Sequence, residues 1–235
     1  MMNAAEIEFN LFQDAISPYI DIRNKRLLDL CCQFGSHIPF LEAAGANVIG
    51  ADIIDYKGCD HPHQFTRSDA QRLPLKNACI DIVFCINAFE HIRNPKTALG
   101  EIERVLKPGG YAFISFCPCF NSDVGSHFFD KVPEPWAHLM PGYLDKLRTA
   151  TPDTEYFTNE FINGLNKLPA SYFRCLFNNT NMKILKRTEW VGTDYPMHKN
   201  FDLLKKTVME EELLFRGMCI LLQARSEHNF YTRAE

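Results

Sequence analysis

KRLLDLCCQFGSHIPFLEAAGANVIGADI, residues 25–53, is the stretch that decides the fold. An apolar run leads into a turn that contains Gly35, and apolar residues then recur at helical spacing up to Gly45. A short run rich in β-branched residues follows and ends in Asp52. The stretch therefore predicts a strand, a turn, a helix and a second strand.

This unit is typical of nucleoside-binding sheets. The carboxyl ends of parallel strands face a crevice, where backbone N–H groups of the first turn meet a nucleotide-like ligand. Asp52 lies about 20 residues beyond the turn, where a carboxylate can accept hydrogen bonds from ribose hydroxyls. A dinucleotide fingerprint would need small residues at Cys31, Gln33 and Ser36. Glycine is missing from all three, which argues against a nicotinamide or flavin dinucleotide.

Residues 27–36, LLDLCCQFGS, resemble the first motif of the class I S-adenosylmethionine-dependent methyltransferases, an acid followed by a G-x-G-x-G turn. The acid is Asp29, and only the last glycine, Gly35, is present. In the family the other two glycines let the main chain approach the methionine end of the cofactor. Cys31 and Gln33 stand in their places, and a side chain at Gln33 could crowd the ligand. The resemblance implies S-adenosylmethionine as cofactor.

Residues 66–75, TRSDAQRLPL, resemble the second signature of the family. The resemblance implies that Asp69 accepts a hydrogen bond from the adenine amino group and that the N–H of Ala70 contacts the ring. The alternative for Asp69 is a plain cap on the following turn. We also place Ile53, the residue after Asp52, at the cofactor.

Residues 81–92, DIVFCINAFEHI, predict a strand that ends at Asn87. The family's fourth strand has a similar end, which implies that Asn87 lies beneath the reactive methyl group. His91 has two readings: a buried histidine bonded to the backbone, or a group that touches the cofactor's amino-acid end through water. Its use as a catalytic base is a third.

Residues 101–116, EIERVLKPGGYAFISF, closely resemble another motif of the family. The proline and paired glycines in this motif predict the end of a helix and the start of a fifth strand over 111–116. Four motifs in the family's order predict an α/β, Rossmann-like fold in one domain over residues 1–235. We expect a seven-stranded, mostly parallel sheet with an antiparallel last strand, helices on both faces and an insertion after the fifth strand.

Three regions complete the expected architecture. An amphipathic helix near residues 4–20 either folds over the cofactor or covers an edge of the sheet. The insertion, residues 117–168, is too long and too apolar for an ordinary connection. After it, periodicity predicts a helix, a sixth strand, a helix over 201–214 and the last strand.

The insertion opens at the crevice, so we expect it to roof the methyl group and shape the acceptor pocket. Its alternative role is a dimerisation arm, which would make the protein a homodimer. Trp136 with Phe128 and Phe129 could flank a ring or a sugar, and His127 or His138 could take the acceptor's proton.

Composition excludes several classes of function. The net charge of −4 over 235 residues argues against nucleic-acid binding, which usually needs a basic surface. We expect a cytoplasmic protein, because no signal segment and no run of about 20 apolar residues is present. Several of the nine cysteines lie in apolar runs, and we expect the thiols to be reduced and mostly structural. Cys59, His61 and His63 read as surface loop, so no metal site is predicted.

The expected function is methyl transfer from S-adenosylmethionine to oxygen or nitrogen of a small-molecule acceptor of natural-product or saccharide type. Few residues need be catalytic, because alignment of the reacting atoms supplies much of the acceleration. Two alternatives stay open. One is a non-catalytic partner subunit, motivated by Cys31 and Gln33, and the other is an enzyme that binds the cofactor without transferring methyl.

Overall fold

A computed structural model describes residues 2–54, 65–151, 164–192 and 198–226. Its strands are β1 (Arg26–Leu30), β2 (Asn47–Asp52), β3 (Phe65–Arg67), β4 (Ile80–Ile86), β5 (Leu106–Phe116), β6 (Lys183–Val191) and β7 (Phe215–Gln223). Its helices are α1 (Ala4–Ile16), α2 (Ile38–Ala43), α3 (Pro95–Val105), α4 (Tyr143–Ala150), α5 (Ala170–Asn178), α6 (Lys199–Leu204) and α7 (Glu210–Leu214), with a 3-10 turn at Ala137–Leu139.

The strands form one sheet in the order β3-β2-β1-β4-β5-β7-β6. Strands β1 to β5 pair in parallel, whereas β7 runs antiparallel to both β5 and β6. The predicted seven-stranded, mostly parallel sheet with an antiparallel last strand is confirmed. The strand order reverses between β1 and β4, and this switch point opens a crevice at the carboxyl ends of the strands.

Helices cover both faces of the sheet, as predicted. Successive residues of a strand point to opposite faces, so Leu28 packs with α3 and α5 while Leu27 packs with α1 and α2. On the second face the ring of Phe12 in α1 meets the ring of Phe84 in β4 edge-on, with centroids 5.1 Å apart. Burial of these apolar side chains provides most of the driving force for folding.

Two element boundaries differ from the predicted ones. β5 begins at Leu106 rather than at residue 111, because the segment with Gly109 at φ +77° continues the pairing with β4 through an irregular register. The helix expected over 201–214 is divided into α6 and α7. The hydroxyl of Thr207 donates to the Leu204 carbonyl at 3.3 Å, and such local bonds compete with helix continuation.

The described part of the insertion has cores of its own. One contains Phe128, Ala137, Tyr143, Leu147 and Leu165. A buried ion pair, Asp123 with Arg216, ties the insertion to β7. The eight cysteines in the described ranges are free thiols. Within those ranges, no helix is both long enough and apolar enough to cross a bilayer.

Candidate functional site

The turn after β1 adopts a left-handed backbone at alternate residues. Cys31, Gln33 and Gly35 have φ values of 60°, 44° and 71°. These are the three positions where the family motif has glycine. The left-handed conformation costs a non-glycine residue about 1–2 kcal/mol. The turn nevertheless has the backbone conformation that glycine favours, although Cys31 and Gln33 carry side chains. Of those two, Gln33 is exposed and Cys31 is half-buried against the core.

Asp52 holds this turn in place. Its Oδ2 accepts a hydrogen bond from the Gln33 amide at 2.8 Å, and its Oδ1 accepts one from the Ile54 amide at 3.0 Å. The carboxylate is buried at the carboxyl end of β2. A carboxylate offers about four lone-pair sites, so about two remain for hydroxyl donors of a ligand.

Asp29 lies beneath the turn and is only 1% exposed. Burial raises the pKa of its carboxyl group to about 7, and nearby Asp52 adds to the rise while His37 opposes it. Its Oδ2 has no hydrogen-bond partner among the described residues. The group is therefore a buried acid that holds its proton more tightly than an ordinary aspartic acid and ionises near neutral pH.

Asp69 and Ala70 follow β3, the strand next to β2. The Ser68 amide donates to the Asp52 carbonyl at 2.7 Å, which places this turn beside the end of β2. Asp69 Oδ1 accepts from the Gln71 amide at 2.8 Å and from the Gln71 side chain at 3.0 Å. Asp69 thus caps its own turn, as the alternative reading predicted, and its carboxylate keeps further lone pairs for a ligand.

Helix α1 reaches the crevice through Glu8. Its carboxylate accepts from the Asn87 amide at 2.6 Å and lies 2.8 Å from Nε2 of His37. Burial alone would raise the pKa of Glu8, but the hydrogen bonds from His37 and Asn87 outweigh it and lower the pKa. The N-terminal helix packs through Phe12 on the central strands β4 and β5 rather than on an edge of the sheet. Glu8 links His37, just before α2, to Asn87, just after β4, and a place for this helix over the cofactor stays a prediction.

A second polar group lies on the insertion side of β4. Glu90 is 3% exposed, and burial raises the pKa of its carboxyl group to about 8. His91 is half-buried, with Nδ1 3.0 Å from the Gly164 carbonyl, in agreement with the backbone-bonded reading. The ring of His127 stands perpendicular to that of His91, with centroids 5.0 Å apart.

The structure separates the two histidines of the insertion. Nε2 of His127 lies 3.2 Å from the Pro118 carbonyl, whereas Nε2 of His138 lies 2.5 Å from the Phe120 carbonyl. Burial lowers the pKa of both rings to about 4. Both rings are neutral at pH 7. Because Nε2 of each ring donates to a carbonyl, the lone pair that can accept a proton lies on Nδ1.

The expectation that Trp136 and Phe128 flank a bound ring or sugar is wrong. Each is 1% exposed. The indole N–H donates to the Leu213 carbonyl at 3.1 Å, and the indole packs on Phe201 with centroids 5.2 Å apart. Phe128 fills a core within the insertion and Trp136 fills a core shared with α6 and α7, because aromatic area is stabilising chiefly when it is buried. Phe129 is half-buried.

Residues 28–114 match the model of a family described as a methyltransferase domain. This segment of the chain is a methyltransferase domain, and the fold around it is that of the class I enzymes. S-adenosylmethionine is the cofactor of this family, as the four motifs imply. The methyltransferase domain includes Asp29, Asp52, Asp69 and Asn87, whereas the insertion lies beyond the match.

Two relatives and one solved structure extend this finding. A ubiquinone biosynthesis O-methyltransferase of Dechloromonas aromatica is 28% identical over 208 residues, which cover 83% of this chain and 79% of the relative. A phthiotriol/phenolphthiotriol dimycocerosates methyltransferase of Mycobacterium leprae is 33% identical over 101 residues, but the alignment spans only 37% of its length and 39% of this chain. A crystal structure of an S-adenosylmethionine-dependent methyltransferase from Mesorhizobium loti shares the fold, with a TM-score of 0.58 at 16% identity, and the match covers 94% of this chain and 98% of that one.

Three residues of the candidate site were missed in the sequence analysis. Glu8 lies on the polar face of α1, and its partner Asn87 is 79 residues away. His37 follows the turn but belongs to no motif. Glu90 stands beside His91 in the motif, yet its burial follows from the insertion that packs over it. Only for Glu90 was there a signal, the E-H pair after β4.

Proposed function

We propose that this protein transfers the methyl group of S-adenosylmethionine to an oxygen or nitrogen of a small molecule. The observation that carries the proposal is the pair of carboxylates, Asp52 and Asp69, at the ends of adjacent strands beside a left-handed turn. S-adenosylmethionine supplies an activated methyl group on a sulfonium sulfur. The acceptor supplies the attacking lone pair.

The donor set of the crevice fits this nucleoside. Asp52 keeps lone pairs for ribose hydroxyls, with Ile53, 62% exposed, next to it. Asp69 and the main chain at Ala70 offer the acceptor and donor that complement an adenine edge. Asp29, Cys31, Gln33 and Gly35 border the methionine end.

The protein's part in the reaction is alignment and exclusion of water. In-line displacement needs the acceptor atom, the methyl carbon and the sulfur in a row, and correct orientation can supply several kcal/mol. Asn87 and His91 follow β4 at the mouth of the crevice, near the reacting end of the cofactor in this proposal. The insertion, residues 117–168, would roof that end and shape the acceptor pocket.

An oxygen acceptor is supported by the relative from Dechloromonas aromatica, which is named an O-methyltransferase. His127 and His138 are the proposed bases, because the contact of each Nε2 with a backbone carbonyl leaves the Nδ1 lone pair of each ring for a proton. The net charge of −4 argues against a polyanionic acceptor, and the proposed acceptor is a small molecule of natural-product or saccharide type. If the insertion instead forms a dimerisation arm, sedimentation analysis would find a homodimer.

Calorimetry with S-adenosylhomocysteine tests the cofactor site. The proposal predicts one site per chain with micromolar affinity. Absence of binding at millimolar ligand would reject the enzyme and leave the non-catalytic partner subunit.

Turnover is tested with radiolabelled S-adenosylmethionine and a panel of phenols, sugars and amines. The expected result is label in the acceptor and an equal amount of S-adenosylhomocysteine. Product formation from an acceptor without loss of the cofactor's methyl group would support the third reading, an enzyme that uses the sulfonium only for electrostatic stabilisation.

A further inference from the structure

We propose that Glu90, His91 and His127 form a binding site for one divalent transition-metal ion. The site lies where the loop after β4 meets the insertion, and it goes beyond the proposed methyl transfer. One ligand atom from each of the three side chains lies within 4.8 Å of the other two. Two imidazoles and one carboxylate are a donor set that zinc and related ions prefer.

Hydrogen bonds orient both rings as ligands. Nδ1 of His91 lies 3.0 Å from the Gly164 carbonyl, and Nε2 of His127 lies 3.2 Å from the Pro118 carbonyl. A carbonyl only accepts, so these nitrogens carry the protons, and Nε2 of His91 and Nδ1 of His127 keep their lone pairs. A ligating histidine that donates its other N–H to a backbone carbonyl is the usual arrangement in metal sites.

The carboxylate provides an independent observation. Glu90 is 3% exposed, and its Oε1 accepts from the Cys117 amide at 3.3 Å. Its Oε2 is buried and has no hydrogen-bond partner among the described residues. A buried oxygen without a partner is costly unless something compensates it. A cation held jointly with the two histidines would compensate this one.

The distances require only a small rearrangement. A tetrahedral zinc ion holds its ligand atoms roughly 3.3 Å apart, given metal–ligand bonds of about 2.0–2.2 Å. The separation between any two of the ligand atoms then has to shorten by about 1.5 Å or less, which changes in side-chain rotamer can supply. Three protein ligands leave one coordination position open, as in catalytic rather than structural zinc sites.

The open position could take an acceptor oxygen and lower its pKa, but that step rests on the proposed function, whereas metal binding does not. Coordination would also use the Nδ1 lone pair of His127. The metal site therefore removes His127 as the base and leaves His138 for that role.

The test is calorimetric titration of the full-length, chelator-treated protein with zinc chloride alone, without cofactor or acceptor. The expected result is one zinc ion per chain. His127→Gly suits the left-handed backbone at this position, φ 60°, and Glu90→Gln retains the shape of the side chain. Each should weaken zinc binding by at least about 100-fold, since even outer-shell changes cost about 10–100-fold.

His138→Ala is the matched control, because it removes the other histidine of the insertion and leaves the three ligands in place. A Cys59→Ser/His61→Ala/His63→Ala variant controls for another group of potential ligands in the sequence, which lies outside the described residues. Both should retain wild-type zinc affinity within about threefold. No zinc binding by the wild type, or a loss confined to the triple variant, would overturn the proposal.

Anomalous diffraction from zinc-soaked crystals of the wild type keeps the test independent of the variants' folding. A peak about 2.1 Å from ligand atoms of all three side chains supports the site, and its absence there rejects it. Methyl transfer is measured separately in the chelated protein. Failure of the metal site and failure of the proposed function are thereby distinguished.

Discussion

The turn after β1 and the insertion both contain non-glycine residues at positive φ, but different contacts stabilise them. In the turn, Cys31 and Gln33 are held by backbone hydrogen bonds to β2 and to Asp52. In the insertion, Trp136, at φ 55°, is held by burial of its own indole. Side chains of the turn are thus available to a ligand, whereas the large side chains of the insertion serve stability.

This difference predicts where substitutions reduce stability and where they reduce binding. Backbone hydrogen bonds survive most side-chain changes, so substitutions in the turn should have small effects on folding. Substitutions remove the contacts of buried side chains and ion pairs, so substitutions in the insertion should lower the free energy of unfolding more. Four predictions test the contrast, from the largest expected effect to the smallest.

Breaking the buried ion pair of the insertion should have the largest effect. Asp123 is 2% exposed and accepts from Arg216 Nε at 2.9 Å. Asp123→Ala should lower the free energy of unfolding by about 3–5 kcal/mol, because it removes the buried carboxylate that the partly buried guanidinium of Arg216 contacts. Urea denaturation measures this. Asp130→Ala, which removes the exposed pair with Lys131, should cost less than about 1 kcal/mol; equal losses would contradict the contrast.

The raised pKa of Asp29 should make the free energy of unfolding depend on pH. Its pKa is about 7 in the folded protein and about 3.9 when unfolded. The folded state therefore binds more protons than the unfolded state between these values. This stabilisation is complete below pH 4 and is lost as pH rises through 7.

Asp29→Asn should remove that contribution. Across pH 4 to 7, the unfolding free energy of the wild type should fall by about 2–4 kcal/mol relative to the variant. Urea titrations at matched pH values measure the difference. Parallel curves for the two proteins would show that Asp29 is ionised normally in the folded state.

Cofactor binding should depend on Asp52. Asp52→Ala should weaken binding of S-adenosylhomocysteine by about 1–3 kcal/mol, because it removes charge-assisted hydrogen bonds to the ribose. Asp81→Ala is the control, since Asp81 bonds the Arg26 amide and Lys107 at the opposite end of β4. Calorimetry should find its affinity unchanged, and unchanged affinity in Asp52→Ala would refute the ribose role.

The smallest effect is expected in the turn itself. Gln33→Gly relieves a left-handed side chain but adds freedom to the unfolded chain, so stability should rise by no more than about 1 kcal/mol. Gln33→Val should lower it by about 1–2 kcal/mol, since a β-branched residue tolerates positive φ poorly. Thermal unfolding compares the two. If glycine destabilised the protein more than valine, backbone strain would not be the controlling factor.

The sheet was predictable because its signals are local. Apolar runs, helical spacing and the turn at Gly35 each follow from a few neighbouring residues, and the matched order of motifs extends from β1 to β5. The ends of elements were less predictable. α6 ends at Leu204, whose carbonyl accepts from the amides of Thr207 and Val208 and from the Thr207 hydroxyl, and periodicity in the sequence does not reveal these bonds.

Within the site, the sequence was informative where a side chain follows a strand. Asp29, Asp52, Asp69 and Asn87 lie at the carboxyl ends of the strands or just beyond them, as the motif spacing indicated. Trp136 was misread because an aromatic residue near a crevice has the same sequence signal whether it lines a pocket or fills a core. Its contacts with Phe201 and Leu213 join segments more than 60 residues apart in the chain.

The sequence by itself determined the strand-turn-helix unit, the class of fold and the acids at the strand ends, because each depends on local periodicity and spacing. Only the tertiary structure decided that Glu8 links His37 to Asn87, and that Glu90, His91 and His127 meet. Those contacts depend on how distant segments pack, and burial and packing are properties of the whole chain rather than of any short stretch.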